Sequence, residues 1–231
     1  MPVSVLDTTF EVEESASVSP HRVVARGAQA AGCKYFTAAA PTDILGVTQQ
    51  GAALGRAVAV RRIGKALVEA AQAVAAGDRV CVADTAGRVK PAPRASATTG
   101  SVGANNAIRW TAPDCSLAGN TVVVDIVVSG NNTAFALAVS GNTLQITAAT
   151  NESGQAVTTA AQAVAAVAAS AAASRIVAAV SETGSSGAGT LVDETVALGG
   201  AEGALRIVGV AEQSASAAGD LIDVFLAPGV C

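Results

Sequence analysis

The chain has 231 residues, is 51% hydrophobic and carries a net charge of −4. That is enough apolar material for a packed core, and the acidic balance leaves no electrostatic footprint for nucleic acid. Only 3% of the residues are aromatic and 14% are charged, so Ala and Val must build the core and the surface is short of charge.

Met1 to Pro20 is weakly patterned, with Ser15, Ser17 and Ser19 alternating with Ala16 and Val18. It lacks the basic and apolar regions of a signal peptide and reads as an extended N-terminal arm or edge strand. Val23-Val24 begins a strand, Gly27–Gly32 is a turn, Lys34–Thr37 resumes a strand, and Pro41 ends the segment. Asp43–Gly64 is then an apolar run broken by Gly46, a turn of polar and small residues, and a second apolar run. The C-terminal stretch Arg206–Gly229 repeats that order, with Gly209 in the place of Gly46. Each is a strand, turn, strand unit, and a Gly within a strand marks a bulge or a close backbone approach. Two such hairpins far apart in sequence can close one sheet or barrel.

Ala66–Glu69 reads as strand and Ala70–Ala76 as a turn or short helical turn. Asp84–Gly87 joins Val80–Ala83 to Arg88–Lys90 in a tight hairpin. Pro91–Gly100, rich in Pro and small polar residues, is a linker. Beyond it, Ala107–Thr111 is a strand with the single Trp110, and Thr121–Ser129 is a Val-rich strand. Phe135, Leu137 and Val139 alternate with Ala, and Leu144 and Ile146 alternate with polar residues across the Ser140-Gly141-Asn142 turn. Val157, Ala161, Val164, Ala168 and Ala171 recur at helical spacing, which predicts an Ala-rich helix with that narrow face on a sheet. The charge-free run Ser153–Ser174 contains Gln155, Thr158, Thr159 and Gln162 and is a soluble helix by composition, not a membrane span. Ile176–Val180 and Thr195–Leu198 are strands flanking the Gly184–Gly189 loop. The expected architecture is mainly β with an α+β insertion. Residues 1–20 form the arm, 21–100 with 204–231 a β-barrel-like body closed by N- and C-terminal hairpin units, and 101–203 an inserted sheet-and-helix domain.

Residues that chemistry would need do not assemble by spacing. Gly184–Gly189 lacks the Lys-Ser/Thr ending of a phosphate loop. Ser129-Gly130 and Ser140-Gly141 lack nucleophile-elbow spacing. His21 lies beside Arg22 with no nucleophile near it in sequence, and Asp78, Asp84 and Asp220 sit in Gly-containing turns, where Asp is first a turn former. The four cysteines, Cys33, Cys81, Cys115 and Cys231, form no CxxC pair and have one His as company, so no zinc site is expected. Small buried thiols in a reducing cytosol are expected instead. No catalytic residue, cofactor or metal is assigned, and no enzyme activity is expected.

In the order Ile44-Leu45-Gly46-Val47, Val58-Ala59-Val60, Ala76–Val80, Asp84–Gly87, Arg206–Ala211 and Gly219–Val224, the body resembles the phage capsid decoration, or capsid cement, proteins of the DUF2190 family. The resemblance covers residues 20–95 and 204–231, and the insertion departs from it. It is similar to modules of other phage structural proteins, such as tail sheath or fibre subunits. The resemblance implies a small β-barrel-like body that binds the exterior of an assembled capsid, commonly as a homotrimer, and reinforces the shell where major capsid subunits meet. The partners it implies are the major capsid protein and further copies of the chain, with no nucleic acid or membrane. The protein would be made in the host cytoplasm and end on the virion exterior. The alternative is a tail or head-fibre component whose inserted domain binds a host glycan or receptor, with Trp110 as the one large aromatic able to stack on a sugar.

Overall fold

A computed structural model describes residues 5–13, 17–37, 43–201 and 206–230. Strands make up 44% of it and helix 8%. The chain divides into two compact units, Met1–Ala92 with Ala204–Cys231, and Pro93–Gly203. In chain order the first unit begins with β1 (Leu6–Val12), β2 (Ser17–Val18), β3 (Val23–Arg26), β4 (Gly32–Lys34) and β5 (Gly46–Thr48). It continues with β6 (Ala52–Ala53), β7 (Ala57–Glu69), β8 (Arg79–Val82) and β9 (Val89–Pro91). The second unit holds β10 (Ser96–Thr99), β11 (Ile108–Thr111), β12 (Val123–Val127), β13 (Ala136–Ser140), β14 (Thr143–Thr147), α1 (Ala160–Ala169), β15 (Ala178–Ser181) and β16 (Glu194–Ala197). The chain then returns to the first unit with β17 (Arg206–Ala211) and β18 (Leu221–Val230).

Nine strands of the first unit form one sheet in the order β1-β4-β3-β5-β7-β18-β17-β8-β9, and β1 also pairs with β7. That second pairing closes β1, β4, β3, β5 and β7 into a five-stranded barrel. Strand β7 makes this possible by pairing with both β5 and β1, and its 13 residues are long enough to pair with β18 as well. Its first half pairs antiparallel with β1, from Glu11↔Ala57 to Leu6↔Ile63, and its second half pairs with β18, from Leu226↔Gly64 to Leu221↔Glu69. The change of partner falls at Gly64, whose φ of 97° is a backbone state that side-chain-bearing residues avoid. The repeated hairpins are the antiparallel pairs β5–β7 and β17–β18, joined edge to edge through β7–β18. Their matching glycines mark close backbone approaches. A Cβ on Gly46 would lie 2.3 Å from the Arg61 carbonyl oxygen, and one on Gly209 would lie 2.1 Å from that of Phe225. The ladder shifts register between Ile207 and Gly209.

Of the two expectations for the first residues, arm or edge strand, Leu6–Val12 is a strand, and it is paired on both sides. Strand β1 is a wall of the barrel, parallel to β4 and antiparallel to β7. The reason is its own alternation: Phe10 and Val12 are buried while Thr9 and Glu11 are not, so the segment brings apolar side chains to a shared core. They join Val18, Val24, Cys33, Leu45, Val58 and Val60 in one cluster. Glu13, next in the chain, accepts the N–H groups of Ala28 at 2.6 Å and Gln29 at 3.2 Å, fixing the β3–β4 turn. Val23, Ala25 and Val47 of β3 and β5 face a second cluster, with Val68, Val80, Val208, Ile222 and Val224. Strand β3 is therefore buried on both sides. Glu14, Ser15 and Ala16 of the expected arm, as well as Pro41, lie outside the described residues.

In the second unit, β10-β11-β15 form an antiparallel sheet and β13-β14-β12-β16 a mixed one, with β12 parallel to β14. The stretch expected as a linker contains β10, which pairs with β11 from Ser96↔Thr111 to Thr99↔Ile108. Ala95 is fully buried, because an alanine is small enough to lie under that pairing. Helix α1 starts with a capping box: Thr159 Oγ1 accepts the Gln162 N–H at 3.3 Å, and the Gln162 side chain accepts the Thr159 N–H at 2.8 Å. Its buried face is Ala160, Ala163 and Val167, not the expected Val157, Ala161, Val164, Ala168 and Ala171. In a helix made mostly of alanine every face is apolar, so spacing does not select one; the cap and the underlying sheet do. Ile108, Trp110, Val124, Ile126, Leu144 and Ile146 complete this core.

Candidate interaction surface

The residues weighed for chemistry take part in turns and in the backbone framework. His21 has a φ of 60°; its N–H donates to the Thr48 carbonyl at 2.9 Å, and its own carbonyl accepts from Glu69 N–H at 3.0 Å. Asp78 accepts the Ala75 N–H at 2.9 Å. Asp84 accepts the Arg88 backbone N–H at 3.2 Å and its Nε–H at 2.6 Å. Asp220 accepts from Ser216 N–H at 2.8 Å and Ala217 N–H at 3.0 Å, and these backbone donors hold its carboxyl below the usual range. Asp78, Asp84 and Asp220 each act as turn-forming carboxylates.

The Gly184–Gly189 loop has the wrong polarity for a phosphate. The carbonyls of Gly187 and Gly189 accept the N–H groups of Ala161 and Ala160, both at 2.9 Å. The loop thus fills the N-terminus of α1 with carbonyl oxygens, the place where an anion would otherwise sit. The Ser129 carbonyl accepts the Thr133 hydroxyl at 2.7 Å, and Ser140 pairs with Thr143 across a hairpin. Trp110 is fully buried, its Nε1–H donating to Thr99 Oγ1 at 2.8 Å. It cannot stack on a sugar.

Cys33 and Cys81 are buried thiols, and burial, aided by the Glu13 charge, pushes the Cys33 thiol up to about 11. Cys115 departs from the expectation of reduced thiols: it is disulfide-bonded. Sequence spacing does not report which sulfurs meet in space. Cys231 lies outside the described residues. Among the described residues no three His, Cys, Asp or Glu side chains cluster as metal ligands, and no helix is long and apolar enough to cross a membrane.

The surface left with something to explain is the outer face of β7 and β18. Period-2 alternation buries Ala66, Val68, Ile222 and Val224, and turns Lys65, Leu67, Leu221 and Phe225 outward. Leu67 is 40% exposed, Leu221 46% and Phe225 43%. The register places Leu67 opposite Asp223 and Phe225 opposite Lys65, so the three apolar side chains lie on diagonals of one face. Lys65 Nζ sits between Glu212 Oε2 at 2.7 Å and Asp223 Oδ2 at 3.1 Å. Those hydrogen bonds raise the Lys65 pKa, and the trio of one lysine and two carboxylates is left with an acidic excess. The face therefore carries three exposed apolar side chains around a paired lysine. Sequence reasoning missed it, although the alternation Lys65, Leu67, Glu69 and Leu221, Asp223, Phe225 was there to read.

A second polar cluster was also missed. Asp125 accepts from the Thr195 hydroxyl at 2.6 Å and Gln145 Nε2–H at 2.9 Å, and these donors lower its pKa. The three residues are cross-strand partners on β12, β16 and β14, so this is a ladder that ties strands together. Compared with known protein families and with curated proteins, the chain matches none.

Proposed function

We propose that this chain is a structural virion protein that binds the outer surface of an assembled phage capsid and stabilises the shell. The observation that carries this reading is the exposed apolar face of Leu67, Leu221 and Phe225 on a rigid sheet. It lies in the same unit as all the segments that resemble capsid decoration proteins, from Ile44–Val47 in and before β5 to Gly219–Val224 in β18. Exposed apolar side chains of this kind, set around a lysine held by two carboxylates, suit a protein partner. The partners proposed are the major capsid protein and further copies of this chain, since closed symmetry is the default for self-association and a trimer multiplies contacts with a repeating shell. The fibre reading has lost its candidate glycan contact, because Trp110 is buried.

The test is co-sedimentation with expanded, undecorated capsids, with light scattering of the free protein. Wild type is expected to pellet with capsids, and Phe225→Asp to lose at least tenfold in binding while keeping its circular dichroism. Equal binding by the variant removes this face from the contact, and wild type remaining in the supernatant defeats the proposal.

A further inference from the structure

Between β14 and α1 the chain continues two short cross-strand contacts. The Thr150 N–H donates to the Thr133 carbonyl at 3.0 Å, and the Val157 N–H donates to the Ala149 carbonyl at 2.8 Å. Residues 149–150 thus stand between Thr133–Phe135 and Ala156–Val157. Position 149 holds only an alanine, next to the larger Phe135 and Val157. The space this leaves is a cavity of about 330 Å³, lined by Phe135, Ala149, Val157, Thr158 and Gln162. That volume lies at the lower end of the range for small-molecule sites, about 300–1,000 Å³. Phe135 is 37% exposed and Val157 50%, so apolar surface beside the cavity faces water.

The polar groups of the lining offer donors. Thr158 is buried; its Oγ1 accepts the Ala149 N–H at 2.8 Å and its carbonyl accepts the Leu191 N–H at 2.9 Å. The Ala149 carbonyl is taken by Val157. Gln162 is the third residue of α1, and its Oε1 accepts the Thr159 N–H at 2.8 Å as half of the capping box. That bond assigns the two ends of the amide, because only the oxygen can accept it. The oxygens are therefore engaged, while the Thr158 hydroxyl proton and the Gln162 Nε2 protons have no acceptor among the described residues. The lining contains no charged side chain.

We infer that this cavity is a binding site for a small uncharged molecule with an apolar ring and a carbonyl oxygen. The ring packs on Phe135, Val157 and the Ala149 methyl, where an aromatic ligand gains from the Phe135 ring as well as from the area it buries. The carbonyl oxygen accepts from Gln162 Nε2 and the Thr158 hydroxyl, the two groups with protons to give. A ligand group that only donates finds its acceptors already used. An anion or a cation loses hydration there and meets no opposite charge. The site is in the second unit and does not depend on the capsid reading.

The test titrates the full chain with acetophenone, an apolar ring bearing a carbonyl and no proton to donate, and reads backbone and side-chain amide shifts. Saturable shifts are expected at Ala149, Val157 and the Gln162 side chain. Benzoate and benzylammonium, similar in size but charged, are expected to bind at least tenfold more weakly. Ala149→Leu fills the cavity from a half-buried position and is expected to abolish the shifts. Gln162→Glu keeps an acceptor for the Thr159 N–H, and so the capping box, but replaces the donors by a carboxylate. It is expected to weaken acetophenone at least tenfold and to strengthen benzylammonium, with the circular dichroism unchanged. If Ala149→Leu misfolds, Gln162→Glu decides. The inference is overturned if acetophenone gives no saturable shift up to its solubility, if the shifts centre elsewhere, or if the substitutions leave its affinity unchanged.

Discussion

Removing the Trp110 indole takes away the largest fully buried side chain and the donor to Thr99 Oγ1. Trp110→Phe keeps most of the volume but leaves Thr99, itself 1% exposed, short of that partner. The expected loss is about 1–3 kcal/mol, against about 3–5 kcal/mol for Trp110→Ala, read by urea denaturation. A Phe variant as stable as wild type would remove the hydrogen bond from the account. Trp110 also shows where the sequence stops being informative. A lone Trp on a short strand is more often core than a sugar platform, but its sequence position alone does not place it. What decides is the β10–β11–β15 pairing, which puts alternate residues Ile108 and Trp110 inward and Arg109 outward. The carboxylates were more legible: Asp78, Asp84 and Asp220 lie next to or near Gly in the chain, and each accepts local N–H groups as a turn former does.

At the scale of elements, strand β1 closes the barrel, so its loss should be felt throughout the first unit. Deleting residues 1–13 removes Phe10 and Val12 and exposes the facing Val58 and Val60. The expected outcome is a protein that loses its cooperative unfolding transition or aggregates; an intact transition of wild-type midpoint would contradict the closed barrel. The hairpins, the Val-rich strands and the existence of α1 could all be read from alternation, turn residues and composition. Three things could not. The first is the role of β1, because Ser15–Pro20 conceals the short apolar alternation before it. The second is the single 13-residue β7, because Gly64 reads as a stop while it acts as a joint between two partners. The third is the face of α1, because alanine offers no contrast.

Across the whole molecule, acid should loosen the fold in a way that names its seams. Arg61 donates from Nε and Nη2 to the two carboxylate oxygens of Asp7, both at 2.8 Å, across the β1–β7 closure. That guanidinium holds the Asp7 carboxyl below its usual value. A lowered folded pKa means the contribution is full above the unfolded value and is lost as pH falls through the folded one. Asp7→Asn should therefore lower the thermal midpoint at neutral pH, and its gap from wild type should narrow as pH falls below the ordinary aspartate range and through the lowered folded value. A gap that persists in acid would assign the effect to packing and not to charge. Asp125 and Asp220, also lowered, add the same sign to the wild-type profile.

The two compact units allow the central claim to be tested by excision. Residues 93–203 are replaced by a short Gly/Ser linker, and the trimmed protein and the full chain are mixed with expanded, undecorated capsids. Both are sedimented, and the particles are then heated. The account predicts that both proteins pellet with the capsids to a similar extent and that the decorated particles withstand a temperature that disrupts bare ones. A full chain that stays in the supernatant and leaves the particles as heat-sensitive as before would contradict it.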